Sequence, residues 1–466
     1  MPYSSFKQSG LDGFKTKKIK AVLGSPPESP TGVSAVDIGT SRAYNDGAAT
    51  ITFVPSTSGD VATSYTAIST PGSYTATGTS SPIVVPGLQS NTSYTFKVYA
   101  TNGAGNSSDS VASSSITATT VPQTPTVTSV TYGFERLLVN YTAGATGGKA
   151  VSAYTATRTG GVTGSGSSPI AFNSLTGGTT YEVTMTATNE NGTSAPSAAQ
   201  SQTPFTASGG TITTSGIYRI HTFTGSSNLV VTGNTINNTD YLVIAGGGGG
   251  GGGPGEQGGG GGGAGGVRST VANTGQNGTL ESKLSVAPNT YAVTVGAGGS
   301  PGNTGTSLAA NGNNSIFSTI ISTGGGGGNQ VTQTGGNGGS GGAGNGVGIA
   351  GQGNTGGPTR GGSQGGHRGG GAGATGANGG TGITNSISGS SIAYAGGGGG
   401  GNGYNSPANG GVGIGSGVSV NGGGAGGGGA GTANTGGGGG GATDDVEGSG
   451  VGGSGGSGIV IIKYEV

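Results

Sequence analysis

YLVIAGGGGGGGG, residues 241–253, joins two patterns that rarely touch in one chain. The apolar run has the length and residue types of a buried strand. The glycines that follow have no side chains, and so nothing to bury. The pairing returns in NTYAVTVGAGG (289–299) and, in reverse order, in GSGIVIIKYEV (456–466). A flexible glycine-rich tail has no reason to end on Ile459, Val460, Ile461, Ile462 and Tyr464. This terminal run is therefore expected to be a buried strand, paired with residues near 241–245.

Glycine runs recur at 246–253, 258–263, 324–328, 396–401 and 436–441. In the polyproline II conformation such a run turns every third residue and leaves every N–H and C=O unpaired. Without side chains, several runs can lie with their backbones nearly touching and bond to one another. Ordering glycine costs more entropy than ordering any other residue, so only a cooperative bundle offsets that cost. The expectation is a packed set of polyglycine II helices bounded by true strands, one of them GIYRIHTFTGSSNLVV (216–231).

Upstream the composition changes. The chain has 466 residues and 117 glycines, most of them after Ser208. Residues 27–205 carry an internal repeat, the first feature to seek in a long chain. Leu88, Tyr94, Val98, Ala100, Thr101 and Asn102 return as Leu175, Tyr181, Met185, Ala187, Thr188 and Asn189, at a constant offset of 87 residues. SYTFKVYATN (93–102) and TYEVTMTATN (180–189) alternate with period two, as half-buried strands do. Gly, Asn, Ser and Pro clusters separate the strands. The Leu-x5-Tyr spacing matches a tyrosine corner, in which a phenol bonds back to an upstream backbone group.

Both copies resemble fibronectin type III domains, including the starts at Pro26-Pro27 and Pro122 and the turns NGAGNSS and NENGTSAPS. The tryptophan usual in that family is missing, and Phe53 and Tyr141 stand in its place. No Arg-Gly-Asp tripeptide supports integrin-type recognition. The glycine-rich half, with YLVIAGGGGGGGG, YAVTVGAGG and GSGIVIIKY, resembles the glycine-rich domain of tailed-bacteriophage fibres and adhesins. That resemblance implies stacked polyglycine II helices with loops at one end that contact a host receptor.

The expected fold is all-β: two tandem immunoglobulin-like (fibronectin type III) sandwiches, then a glycine-rich domain of β-strands and packed polyglycine II helices. The expected segments are an N-terminal basic arm (1–26), the sandwiches (27–121 and 122–206) and the glycine-rich domain (207–466).

Charge narrows the function. Sixteen basic residues balance sixteen acidic ones, and only 7% of the chain is charged. Phosphate binding needs a concentrated basic face, so nucleic acid is not expected. No apolar window is long enough to span a membrane, and the N-terminus lacks the apolar core of a secretory signal. There is no cysteine, hence no disulfide framework. Enzymatic motifs are missing too. Matches to G-x-G-x-x-G carry no weight in a chain this rich in glycine, since the dinucleotide fingerprint needs a strand and then a helix. Asp444, Asp445 and Glu447 form an acidic cluster, but the repeated nonapeptide of calcium-binding β-helices is absent, so neither metal nor cofactor is expected. His221 lies in a strand pattern and reads as a face residue.

These features point to a virion fibre, made in the host cytoplasm without an export signal. The alternatives are a decoration fibre without a receptor and a bacterial surface adhesin. The expected receptor contacts are the polar and aromatic islands between glycine runs: Arg360, His367, Arg368, Tyr404 and Asn405. Turn-forming residues without a ligand are the competing reading of these islands. The expected partners are a bacterial surface glycan or outer-membrane protein. Other virion proteins would be held by the arm through Phe6, Phe14, Lys17 and Lys18. The resemblance leaves room for a homo-oligomeric, trimeric fibre, although no heptad pattern supports one.

Overall fold

A computed structural model describes residues 24–253, 258–272, 274–303, 308–329, 333–358, 370, 379–401, 428–442 and 450–466. The fold is all-β, and the described residues hold no α-helix, only a 3-10 turn at Gly275–Asn277. No described helix is long and apolar enough to cross a membrane. The chain falls into two compact units. One takes in the chain up to Val130 with Val139–Ile170 and Glu182–Gln200. The other takes in Thr131–Leu138, Ala171–Tyr181 and Ser201–Val466.

The first sandwich sets Thr31–Ile38, Gly47–Val54 and Ile83–Leu88 in one antiparallel sheet. The other sheet orders Thr75–Gly78, Ser64–Thr70, Thr92–Asn102 and Gly105–Asn106, with Ile116–Ala118 also on the long strand. That long strand alternates as its sequence requires, burying Tyr94, Phe96, Val98 and Ala100 on one face. Phe53 is buried against Tyr65, so the position usually held by tryptophan is a core position here. The second copy repeats the arrangement, with Ile170–Phe172, Arg136–Thr142 and Thr126–Gly133 in one sheet and Val162–Ser165, Ala153–Arg158 and Tyr181–Asn189 in the other. Both tyrosine corners form: the Gln89 N–H donates to the Tyr94 hydroxyl oxygen at 3.0 Å, and the Thr176 N–H to that of Tyr181 at 3.1 Å.

Beyond Ser201 lies a further pair of sheets that the sequence did not reveal as a sandwich. One orders Thr206–Ser208, Ser227–Thr232, Asn289–Thr294, Ser315–Phe317 and Ile320–Ser322. The other orders Thr211–Ser215, Tyr218–Phe223, Ile459–Glu465, Ile236–Ile244 and Val267–Ser269. The C-terminal strand is thus central, paired on one side with Tyr218–Phe223 and on the other with Ile236–Ile244, where Ile462 opposes Tyr241 and Ile459 opposes Ile244.

This strand is apolar without alternation because both of its faces are covered. Val460, Ile462 and Tyr464 enter a core with Phe205, Phe223, Leu229, Tyr241 and Phe317. Ile459 and Ile461 enter a second core with Leu242, Ile244, Val267, Ile383 and Tyr394. A strand buried on both faces reads as a continuous apolar run.

Candidate functional site

Every glycine amide in a buried run needs a partner, because an unpaired buried backbone group is costly. The segment 246–251 finds its partners in a three-residue rotation. Gly246 and Gly249 donate to Asn313 and Ala310; Gly247 and Gly250 donate to Gly456 and Gly453; Gly248 and Gly251 donate to Gly263 and Gly260, all at 2.8–3.0 Å. In each pair the partner number falls as the donor number rises, so these neighbours run antiparallel. The same residues accept from neighbours running parallel: Gly325 and Gly328 bond to Gly246 and Gly249, Gly299 and Gly302 to Gly247 and Gly250, Gly439 and Ala442 to Gly248 and Gly251. A three-residue period with neighbours on every side is the signature of packed polyglycine II helices.

The packing leaves no room for side chains. A Cβ on Gly247 would strike the Gly437 carbonyl, and one on Gly250 the Gly440 carbonyl. Where the row is interrupted, asparagine substitutes for backbone: the Asn311 and Asn314 side-chain oxygens accept from the Gly327 and Gly324 N–H groups at 2.7 and 2.9 Å.

Chain direction gives the bundle two ends. Strands Ile236–Ile244, Asn289–Thr294, Ile320–Ser322 and Ile392–Tyr394 feed glycine segments that run away from the sheets. Strands Val267–Ser269, Ser315–Phe317 and Ile459–Glu465 receive segments running back. At the far end Gly253 pairs with Gly450, Gly259 bonds to Ala442, Gly260 to Asn329, Gly401 to Gly259 and Gly428 to Gly441. Gly357, bonded by the Gly344 N–H, also lies toward this end, since the Gly344 carbonyl accepts from Gly335, next to Gly336, which bonds to Gly327.

Gly401 and Gly428 flank 402–427 at this end, whereas 359–369 lies between far-end Gly357 and Gly370, whose carbonyl accepts from Ala264 nearer the sheets. Arg360, His367 and Arg368 fall in 359–369, and Tyr404 and Asn405 in 402–427; all five lie outside the described residues. So do Phe6, Phe14, Lys17 and Lys18 of the arm, and Asp444, Asp445 and Glu447. Among the described residues there is no group of three or more His, Cys, Asp or Glu placed to hold a metal. Tyr394 is a core residue. Its hairpin, Ile383–Asn385 with Ile392–Tyr394, covers the outer face of the larger sheet, and the Asn385 amide donates to the Ser269 hydroxyl at 3.0 Å.

Titratable groups near the sheets are committed to structure. Arg268 holds Glu281 through two bonds of 2.7 Å, and the Tyr241 hydroxyl donates to the same carboxylate at 2.6 Å. Burial, reinforced by Glu281, pushes the Tyr241 phenol well above its ordinary range. Buried Asp240 accepts from Thr270 at 2.9 Å and from Lys283 at 3.1 Å. His221 is fully buried. One ring nitrogen, Nδ1, lies 2.8 Å from the Gly209 carbonyl, and Nε2 lies 2.9 Å from the Tyr464 hydroxyl. A carbonyl can only accept, so Nδ1 carries the proton and Nε2 accepts from Tyr464.

The glycine-rich domain family matches residues 221–465, just over half of the chain. The chain belongs to the glycine-rich domain family. The match opens at His221 in the strand Tyr218–Phe223 and closes in the C-terminal strand that pairs with it. No curated protein matches the chain. Among solved structures, the FN1–FN3 domains of chicken CNTN1 align at 16% identity over 58% of this chain and 93% of that one, with a TM-score of 0.26. The sandwich assignment rests instead on strand order and on the two tyrosine corners.

Proposed function

We propose that this chain is a tailed-phage fibre protein whose glycine-rich domain attaches to the surface of a bacterial host. The observation that carries the reading is the far end of the bundle. A polyglycine core brings Gly253, Asn329, Gly357, Gly401, Gly428, Ala442 and Gly450 to one end, and Gly401 and Gly428 there bracket 402–427 in the sequence. The described rows bond to one another through their backbones and through asparagines such as Asn311 and Asn314. Such a platform suits several weak contacts acting together, which gain through effective concentration. In this reading Arg360, His367, Arg368, Tyr404 and Asn405 contact a surface glycan or outer-membrane protein, and residues 1–26 dock on other virion proteins.

The test is binding of fluorescently labelled full-length chain to a panel of intact bacterial strains. The expected result is saturable binding to a subset of strains, lost when 402–427 is replaced by a Gly-Ser linker of equal length. Binding to no strain, by a chain that still attaches to virions through its arm, contradicts the adhesin reading and favours a decoration fibre.

A further inference from the structure

The two sandwiches treat one pair of aromatic rings differently. In the first, Phe53 and Tyr65 lie 4.9 Å apart, and both are buried, at 3% and 8% exposure. Ala62, from the connection between their strands, packs against the cluster that holds them. The corresponding pair in the second copy is Tyr141 and Tyr154. The register fixes the match, since Tyr65 opposes Ala100 as Tyr154 opposes Ala187. The N–H of Phe53 bonds to the Ser81 hydroxyl as that of Tyr141 bonds to the Ser168 hydroxyl.

In the second copy the rings lie 5.2 Å apart, tilted by 39°, but both are only half-buried. They form one wall of an open groove of about 530 Å³. The rest of the lining is Ala143, Val151, Ala153 and the serine- and glycine-rich turn 165–168, with Ser152. The Tyr141 hydroxyl donates to the Gly166 carbonyl at 2.7 Å, which fixes its ring against that turn.

We infer that this groove binds a ring of a neutral saccharide. Aromatic faces pack against the C–H face of a sugar while water is displaced. Serine hydroxyls and turn carbonyls offer donors and acceptors to its hydroxyl groups. No charged side chain lines the groove. An anionic ligand would need a cation there, since carboxylates and phosphates are held by charge-assisted bonds. The volume lies within the roughly 300–1,000 Å³ usual for small-molecule sites. Burial of the same ring pair in the first copy shows that this fold can close over it; in the second copy it remains open. The site is independent of the reading of the glycine-rich domain.

The experiment uses full-length protein on an array of neutral and acidic oligosaccharides. Solution titrations with the tetrasaccharides of N-acetylglucosamine and of α-1,4-linked glucose follow, read by saturation-transfer NMR. Two variants are compared. Tyr154→Ala removes a ring, and Ser167→Trp, at an exposed rim position, fills the groove without touching the core. Each is first checked for an unchanged melting temperature. Val111→Ser, at an exposed position of the first sandwich, serves as the control. Neutral probes are expected to bind, with affinity falling by about tenfold or more in Ser167→Trp and Tyr154→Ala and staying unchanged in Val111→Ser. Binding of acidic probes only, binding of none, or binding undiminished by Ser167→Trp overturns the proposal.

Discussion

At the scale of single residues, glycine is required in this bundle for want of space. Gly250 faces the Gly440 carbonyl with no room for a methyl group, whereas nothing lies within 4 Å of a Cβ on Gly225. Gly250→Ala is therefore expected to destabilise the unit by about 3 kcal/mol or more, as overpacking of a rigid backbone does, and Gly225→Ala to change stability by less than about 0.5 kcal/mol. Denaturant titration of the two variants checks the contrast. His221 makes a second case. Burial, with a smaller contribution from the charge of Arg219, lowers its pKa below the ordinary histidine value, against an opposing bond from Gly209. The unfolded chain then takes up a proton at about pH 6.5 that the folded one refuses. Stability from this group is full above that pH and is lost as pH falls toward the folded pKa. Melting temperatures measured from pH 7.5 to 5 should decline in the native protein and decline less in His221→Gln. The sequence marked His221 as a strand-face residue. Its bond to Tyr464, 243 positions away, was not visible because nothing in local pattern records such a pairing.

At the scale of elements, the terminal strand was the most legible part of the chain. Its apolar run and its expected partner near 241–245 both appear in the structure, at the register Ile462 to Tyr241. Its second partner, Tyr218–Phe223, and its central place were not legible, because a run of apolar residues announces burial without naming the neighbours. The additional sandwich was hidden for a similar reason. Short strands such as Ser315–Phe317 and Ile320–Ser322 are too brief to show alternation among glycines. The strand's position predicts its sensitivity. Ile461 is 1% exposed within the outer core, so Ile461→Ala should cost about 2–5 kcal/mol, readable by chemical denaturation. The joint between the first two sandwiches is polar instead. The Asp37 carboxylate accepts from the Thr119 N–H at 3.0 Å, and the Asn191 amide donates to the Thr119 hydroxyl at 2.8 Å. Asn191→Ala should cost roughly 1–3 kcal/mol by leaving buried partners unpaired, and should raise hydrogen exchange around residues 119–121 before it affects either core.

At the scale of the whole molecule, composition alone separated a β-rich front from a glycine-rich rear, and the repeat offset gave two sandwiches of equal size. What composition could not give was the topology of the bundle, because identical glycines carry no information about which run lies beside which. That order is set by the strands that launch and receive each run, and by asparagines such as Asn311 and Asn314 that stand in for backbone. A far-end platform for host contact exists only if this bundle is a cooperative, ordered body. Hydrogen exchange of selectively 15N-glycine-labelled protein tests that most directly. The account predicts that the amides of Gly246 to Gly251 exchange only through global unfolding of the unit, with protection equal to that of the Tyr241 to Ile244 strand amides. Exchange of those glycines at rates near those of an unstructured peptide, while the strand amides stay protected, would contradict it.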